Sequence, residues 1–347
     1  MEFLSEYGIF VAKFLTSIIL VVIFFAIIIG MIARTRQTES TGKVKITSMN
    51  QSIKDVKMQI QSYILSPKEF KQLVKNNKKE EKKKNKGKNK ESKKPPIIYV
   101  VNFVGDMQAS NLKYLTDTIS AIISVAKPKQ EVVLKLESGG GYVHSYGLAA
   151  AQLLRLKEHN IQLTVCIDKV AASGGYLMAA MADKICAAPF AILGSIGVVG
   201  MVPNINKALQ KQDIDVEYHT SGDYKRTLTV LGKNDAKGRK KFQEDLKQTH
   251  KLFKDVVKEH RPSLSLPKVA TGEVWYGIDA KKHKLIDMIT TSDEYLHGMV
   301  AKAELYEVSV KAKRKITDRI GKASEEAVSG VVDKLLAKIM KLRLFHL

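Results

Sequence analysis

The hydrophobic pattern of this chain changes period several times. Phe14 to Ala33 is a run of twenty residues without a charge, with IILVVIFFAIII at its centre. About 20 apolar residues are what a helix needs to cross a bilayer. A cleaved leader has an apolar core of about 7–15 residues, a basic start and a small-x-small cleavage site. This segment is longer, begins with Glu2 and Glu6, and ends GMIAR. Residues 1–36 therefore predict a single retained N-terminal transmembrane anchor. Ile53, Val56, Ile60 and Ile64 then recur at helical spacing until Pro67 interrupts them. The Lys/Asn-rich run 76–94 has no means of packing a core and reads as a solvated linker closed by Pro95-Pro96. Residues 37–94 form a membrane-proximal helical segment and linker on this reading.

From Ile97 short apolar runs alternate with helical periods. IIYVVNF (97–103), EVVLKLE (131–137) and QLTVCID (162–168) read as buried strands, and DVEYHT (215–220) as a further strand. Residues 110–126 and 143–159 read as helices, and the periods 236–260 and 292–304 add an outer layer. Strand–helix alternation predicts an α/β domain with largely parallel sheets over 95–308. In the last stretch, 309–347, Val328, Val331, Val332, Leu335, Ile339 and Leu342 make one apolar stripe, with Lys334, Lys338, Lys341 and Arg343 around it. Such a basic amphipathic helix fits a membrane surface, a partner helix or its own domain equally well.

Charge changes this picture little. The formal net charge of +22 would ordinarily suggest nucleic acid or an anionic membrane. Lys78 to Lys94 alone holds ten Lys and three Glu, so the excess is local and no nucleic-acid partner is expected of the folded part. Cys166 and Cys186 stand in apolar surroundings without a CxxC or Cys/His cluster. They read as buried small residues, and no metal site or cofactor is expected. Around the anchor, Lys13 precedes the span while Arg34, Arg36, Lys43 and Lys45 lie after it. The positive-inside rule places the large C-terminal part in the cytoplasm.

Three segments carry candidate chemistry. In CIDKVAASGGYLMAAMA a strand ends near Asp168, and Ser173 stands where the chain turns into an apolar helix. Unbonded backbone N–H groups and the positive end of the helix dipole gather at such a point. The Gly174 N–H is placed to bond an oxyanion formed on a carbonyl attacked by Ser173. Ser is also a favoured N-cap, so a purely structural serine is the alternative. In LKLESGGGYVHSYG a strand runs into Ser138 and three glycines; no phosphate-binding pattern is present. A second oxyanion donor or an edge for an extended peptide are physical uses of such a turn. In HTSGDYKRTLT, Lys225 follows a Gly/Asp turn and taken alone is a surface lysine.

Together these segments resemble the S49 family of signal peptide peptidases. LESGGGYVHSYGLAAAQLLRL, DKVAASGGYLMA, GSIGVVG, GDYKR and EVWYGIDAKKHKLIDMITTSDE carry the resemblance, which extends over nearly the whole chain. It implies a Clp/crotonase-like domain of repeated ββα units behind the anchor, with residues 37–94 as the family's N-terminal region. It also implies a serine endopeptidase of the bacterial inner membrane, acting on signal-peptide remnants or other unfolded or membrane-associated polypeptides. By the resemblance Ser173 is the nucleophile, Lys225 the general base, Ser195 of GSIGVVG a hydrogen-bonding partner of the lysine, and the N–H groups of Gly140 and Gly174 the oxyanion donors. No cofactor is implied. A ring of identical copies that completes the substrate groove is. Related peptidases act on the outer side of the membrane, which conflicts with the flanking charges. Two positions depart from the family pattern. Gly139 stands in place of a proline, and Lys284 in place of a glycine before Leu285-Ile286-Asp287.

Chemistry is consistent with these roles. A serine hydroxyl is a weak nucleophile that needs a base, and a neutral lysine serves as one on several folds. Free lysine titrates near about 10.4, so a lysine base requires a site shut off from bulk water. Tyr224 and its neighbours are candidates for that enclosure. His144 and His219 are the rival bases. An acyl-CoA enzyme on the same scaffold and a non-catalytic membrane scaffold are the alternative functions.

Overall fold

The computed structural model describes residues 43–87 and 95–311. β1 (Lys43–Ser48) leads into α1 (Met49–Ile64), which the Ser48 hydroxyl caps at Gln51 N–H, and α2 (Pro67–Gly87) comes next. Then come β2 (Ile97–Gly105), α3 (Leu112–Val125), β3 (Glu131–Ser138), α4 (Val143–Glu158), β4 (Gln162–Ile167) and β5 (Val170–Ala172). The short α5 (Gly174–Ala180), β6 (Lys184–Ala187), β7 (Ile192–Gly194), α6 (Asn206–Gln210) and the long α7 (Ala236–His260) continue the chain. α8 (Leu266–Val269), β8 (Val274–Tyr276), α9 (Gly277–Lys282), β9 (Met288–Ile289), α10 (Ser292–Met299) and β10 (Glu304–Lys311) complete it.

The strands form one sheet in the order β1-β10-β2-β3-β4-β6-β9, and β5 leaves this path to pair with β3 and β7. The pairs from β10 through β9 are parallel, whereas β7 and β8 run antiparallel. Alternation along the strands serves two faces. Tyr99, Val101 and Phe103 of β2 join Leu134, Leu136 and Val165 in a large core with α3, α4 and α5. Ile98, Val100, Val133, Cys166 and Cys186 face the other way and pack with Tyr295 and Leu296 of α10. Cys166 and Cys186 are buried, free and direct register partners on β4 and β6.

The three main strands and the helices 112–125, 143–158 and 236–260 agree with the sequence periodicity. Four readings change. Pro67 opens α2 rather than merely interrupting a helix, because a first-turn residue needs no N–H donor. The helix also continues into the Lys-rich run read as linker, and lysine is a good helix former. DVEYHT (215–220) forms no strand: its residues are exposed apart from half-buried Val216, and no neighbouring strand supplies a ladder. The helical reading of 292–304 stops at Met299, and Glu304 starts β10, which pairs in parallel with β2. Residues 44–310 form one compact unit, so β1 and α1 belong with the 95–308 domain. Asn50 shows how: its amide nitrogen donates to Val300 and Ala303 carbonyls, and its oxygen accepts from Leu305 N–H.

Lys284 has φ +63°. It lies just past the end of α9, a left-handed position that glycine fills without cost, which is the physical reason a glycine would suit it. Among the described residues no helix is long and apolar enough to cross a membrane. The apolar run 14–33 and the C-terminal stripe 328–342 lie outside the described residues.

Candidate active site

Register brings the serines together. β3 ends at Ser138, which pairs with Ala171 of β5. On the other side Ala172 pairs with Gly194 of β7. The next residues, Ser173 and Ser195, therefore leave two neighbouring parallel strands side by side. Each adopts a left-handed backbone, φ +52° for Ser173 and φ +49° for Ser195. A non-glycine residue in that region is strained at a cost of about 1–3 kcal/mol and persists only where its surroundings enforce it. Here the surroundings are backbone bonds. Ser173 N–H donates to Gly194 O at 2.8 Å, and Ser195 N–H donates to Glu273 O at 2.7 Å.

Ser173 is not a capping serine. It precedes α5, but its side chain makes no cap hydrogen bond and its φ lies outside the extended range an N-cap adopts. The sharp strand-to-helix turn instead presents a half-buried hydroxyl, the same mechanical device as a nucleophile elbow.

Against this turn lies the glycine loop. Gly140 has φ +88°, and a Cβ placed on it would sit 2.7 Å from Gly174 N and 2.8 Å from Ser173 Cβ. Only glycine allows this approach. Three of the five residues singled out from sequence, Ser173, Gly140 and Gly174, thus meet at one point, with Ser195 beside them in register. The Gly140 N–H is engaged within the chain, donating to Ser138 Oγ at 3.1 Å. Gly139 has open space around its missing Cβ, so nothing in its surroundings requires glycine there.

Lys225 is placed differently. It is exposed, in a turn closed by its own N–H to Gly222 O at 3.1 Å. Among the described residues no hydrogen bond joins it to Ser173 or Ser195. Tyr224 beside it is half-exposed, its ring lying under the ammonium groups of Lys237 and Lys241 at 5.5 Å each. The rival histidines are both at the surface. His144 is exposed and stacks on Tyr142, and His219 pairs with Glu217 at 3.3 Å.

Two neighbours of the site escaped the sequence reading. Tyr146 of α4 is fully buried, and its ring fills the space against Gly174, where a Cβ would come within 2.5 Å of Tyr146 Cγ. Its hydroxyl donates to Asp106 O at 2.7 Å and bonds Ser138 Oγ at 2.5 Å. Burial pushes its phenol above the usual value, against the opposing bond from Ser138. His250 of α7 bonds Ile196 O at 3.1 Å, one residue past Ser195. The one available signal for Tyr146 was a hydroxyl-bearing aromatic on the apolar face of the helix after the triple glycine.

Comparison with known proteins agrees over most of the length. The profile "Peptidase family S49 N-terminal" matches residues 2–153, and "Peptidase family S49" matches residues 155–306. The chain is 43% identical over 345 residues to "Probable protease SohB" of Haemophilus influenzae, covering 97% of each. It is 47% identical over 304 residues to "Probable protease SohB" of Buchnera aphidicola subsp. Schlechtendalia chinensis, covering 85% of this chain and 99% of that one. Among solved structures, a membrane-bound stomatin-specific protease aligns with 14% identity and a TM-score of 0.33, covering 58% of this chain and 84% of that one. With a strained serine turn against a glycine loop and the two family profiles together matching most of residues 2–306, the chain belongs to peptidase family S49.

Proposed function

We propose that the chain is a membrane-anchored serine endopeptidase in which Ser173 is the nucleophile and Lys225 the general base. The observation that carries this reading is the Ser173 turn: a left-handed, uncapped serine pressed against Gly140 and followed by Gly174. Neutral Lys225 takes the Ser173 proton as Oγ bonds to the substrate carbonyl carbon. The carbonyl oxygen becomes an oxyanion, which Gly174 N–H and Gly140 N–H stabilise. The C–N bond then breaks and the lysine's proton leaves with the amine; water attacks the acyl-enzyme with Lys225 again as base, the ester bond to Ser173 Oγ breaks, and the lysine returns its proton to the serine. Ser195 orients the lysine.

Two features define what substrate binding has to do. Gly140 N–H must reach the oxyanion while still held beside Ser138 Oγ, so that one donor is shared between the two. Lys225 must be shut off from water, because an exposed ammonium cannot accept a proton. Exposed Val199, Met201, Tyr224, Val230 and Leu231 on the lysine's own segment supply an apolar surface for a second copy. Assembly of copies into a ring is therefore part of the proposal, and the neighbour completes the groove. Substrates are extended peptides with small or aliphatic side chains, released from or lying at the inner bacterial membrane to which residues 1–36 tie the enzyme.

Acylation by a fluorophosphonate probe tests the reading. The intact chain in detergent should be labelled at Ser173, as read by peptide mass spectrometry. Labelling at another serine, or hydrolysis retained by Ser173→Ala, would remove Ser173 from the mechanism.

A further inference from the structure

Tyr146 connects three segments that meet at the serine turn. Its hydroxyl has two partners, and their polarity can be assigned. The Asp106 carbonyl only accepts, so the phenol proton goes there. Ser138 Oγ must then donate to the Tyr146 oxygen, and its own lone pairs receive the Gly140 N–H. The result is a directed chain: Gly140 N–H to Ser138 Oγ, Ser138 Oγ–H to Tyr146 Oη, Tyr146 Oη–H to Asp106 O. Its middle is withdrawn from water, since Tyr146 is fully buried and Ser138 is 2% exposed, while Gly140 is half-buried and Asp106 exposed. Bonds in such a setting strengthen one another, and a missing member leaves a buried polar group unpaired.

The chain is fixed on both sides of the reacting atoms. Tyr142 N–H donates to Met107 O at 2.9 Å, tying the 105–107 segment over the end of the glycine loop. On the other side the Tyr146 ring touches Gly174, and a Cβ on Gly175 would sit 2.5 Å from Ser138 O. One side chain thus sets the distance between the glycine loop and the start of α5, the two places from which an oxyanion would be held. A shift of a few tenths of an ångström there changes bonds made in the transition state more than contacts made with bound peptide.

We propose that Tyr146 is a positioning residue for peptide hydrolysis: through Ser138 it sets the orientation of the 139–141 loop, and through its ring it sets the seat of Gly174. The proposal rests on the assignment of Ser173 as nucleophile with Gly140 and Gly174 as donors. Tyr146→Phe isolates the hydroxyl, because the ring that seats Gly174 remains.

The full chain in detergent, a fluorogenic peptide with leucine before the scissile bond, the matching peptide aldehyde and the free product peptide make the test. In Tyr146→Phe, kcat should fall about tenfold while KM stays within about twofold, the signature of an interaction realised only in the transition state. The aldehyde forms a tetrahedral adduct, so its affinity should drop by the same factor as kcat, while the product peptide binds as before. Ser138→Ala should reproduce the loss, and the double variant should lose little more, since both act in one chain of bonds. A merely structural tyrosine would lower the thermal midpoint and leave the ratio of aldehyde to product-peptide affinity unchanged. That result overturns the proposal, as does unchanged kcat in Tyr146→Phe, additive losses, or faster turnover in Ser138→Ala. If Tyr146→Phe loses its thermal transition, Ser138→Ala carries the same comparison. Ser173→Ala, assayed beside them, separates the two ideas: its retained activity would sink the nucleophile assignment, while the Tyr146 ratios are read only on a chain whose Ser173 is intact.

Discussion

Residues 170–197 and residues 198–235 are adjacent in the chain and are built by opposite means. The first stretch holds Ser173 and Ser195 at the ends of paired strands, with Ala171, Tyr176, Met178 and Ile196 buried beneath them. The second stretch contains one short helix, α6, and long exposed turns, with Val199 91% and Met201 89% accessible. Much of its order comes from amide side chains, with one backbone bond from Ile205 N–H to Val230 O at 2.9 Å. Asn204 donates to Thr229 and Gly232 carbonyls, Asn206 donates to Leu231 O, and Asn234 bonds the Thr229 backbone both ways. A nucleophile under strain needs a stiff frame, because strain persists only where neighbours enforce it. On the proposed mechanism, the base stands on the more exposed of the two stretches, and the two halves of the reaction are split between a tightly framed surface and an open one.

The largest effects should come from the two reacting side chains. Ser173→Ala and Lys225→Ala should each lower kcat by at least about 1,000-fold, the usual scale for removing a member of a nucleophile–base pair. Their structural consequences should differ. Lys225→Ala leaves the thermal midpoint unchanged because the side chain is exposed, whereas Ser173→Ala shifts it by keeping the left-handed backbone without the hydroxyl. Turnover measured alongside melting checks both. A Lys225→Ala enzyme of normal rate would break the comparison at its centre.

Next come two glycines with nearly equal backbones. Gly140 has φ +88° and Gly222 has φ +98°, but a Cβ on Gly140 would strike Gly174 N and Ala172 O, while around Gly222 there is open space. Gly140→Ala should therefore cost both strain and a displaced serine turn, with kcat down about 100-fold. Gly222→Ala should cost only the strain of the conformation, about 1–3 kcal/mol, absorbed by an exposed turn. Similar losses in both variants would mean the lysine segment is as tightly framed as the serine turn.

Ser195→Ala should slow hydrolysis by about tenfold, since on the proposed mechanism Ser195 orients the lysine once the site has closed and is itself no reacting atom. kcat/KM should still rise with pH, because a lysine accepts a proton only when neutral, and that rise should persist in His144→Gln and His219→Gln. Loss of both activity and the rise in either histidine variant, with Lys225→Met unaffected, would hand the base's role to histidine.

How much could be read from residues alone shows the same division. β2, β3, β4, α3 and α4 were legible because each buries one face, so apolar residues repeat with the element's own period. The serine turn was legible because a strand, small residues and an apolar helix come in order. β10 was not, because the helical reading of 292–304 ran up to its first residue and the strand is fixed by pairing with the distant β2. DVEYHT looked like a strand because local alternation resembles one even where no partner strand lies beside it. Tyr146 was hidden for a third reason: its role is set by Asp106, forty residues earlier in the chain, and by Gly174, and no local pattern encodes that meeting.

The smallest expected effect concerns acid. The start of α5 is held from behind: Tyr176 Oη donates to Leu285 O at 2.9 Å, and the 284–287 turn is clasped by Arg261. Arg261 donates from both terminal nitrogens to the Asp287 carboxylate, at 2.8 Å each, and to Lys284 O at 3.2 Å. Burial pushes the Asp287 carboxyl up, but the Arg261 bonds, the Ile185 N–H and the guanidinium charge outweigh it and hold the group below the usual carboxylate range. A depressed carboxyl contributes stability that is fully present above its unfolded value, about 3.9, and is lost as pH falls through the folded one. With the Asp287 side chain 37% exposed, solvent screening keeps this contribution small. Asp287→Asn should therefore melt below the parent chain at pH 6, and the gap should narrow as pH falls below the usual carboxylate range. Hydrogen exchange should show where the loss falls. Amides of 174–187 and 261–289 should speed up in acid in the parent chain, while those of 198–235, already fast, should change little. Equal acceleration in both stretches would mean that the serine turn is not separately framed and that one cooperative unit includes the lysine segment.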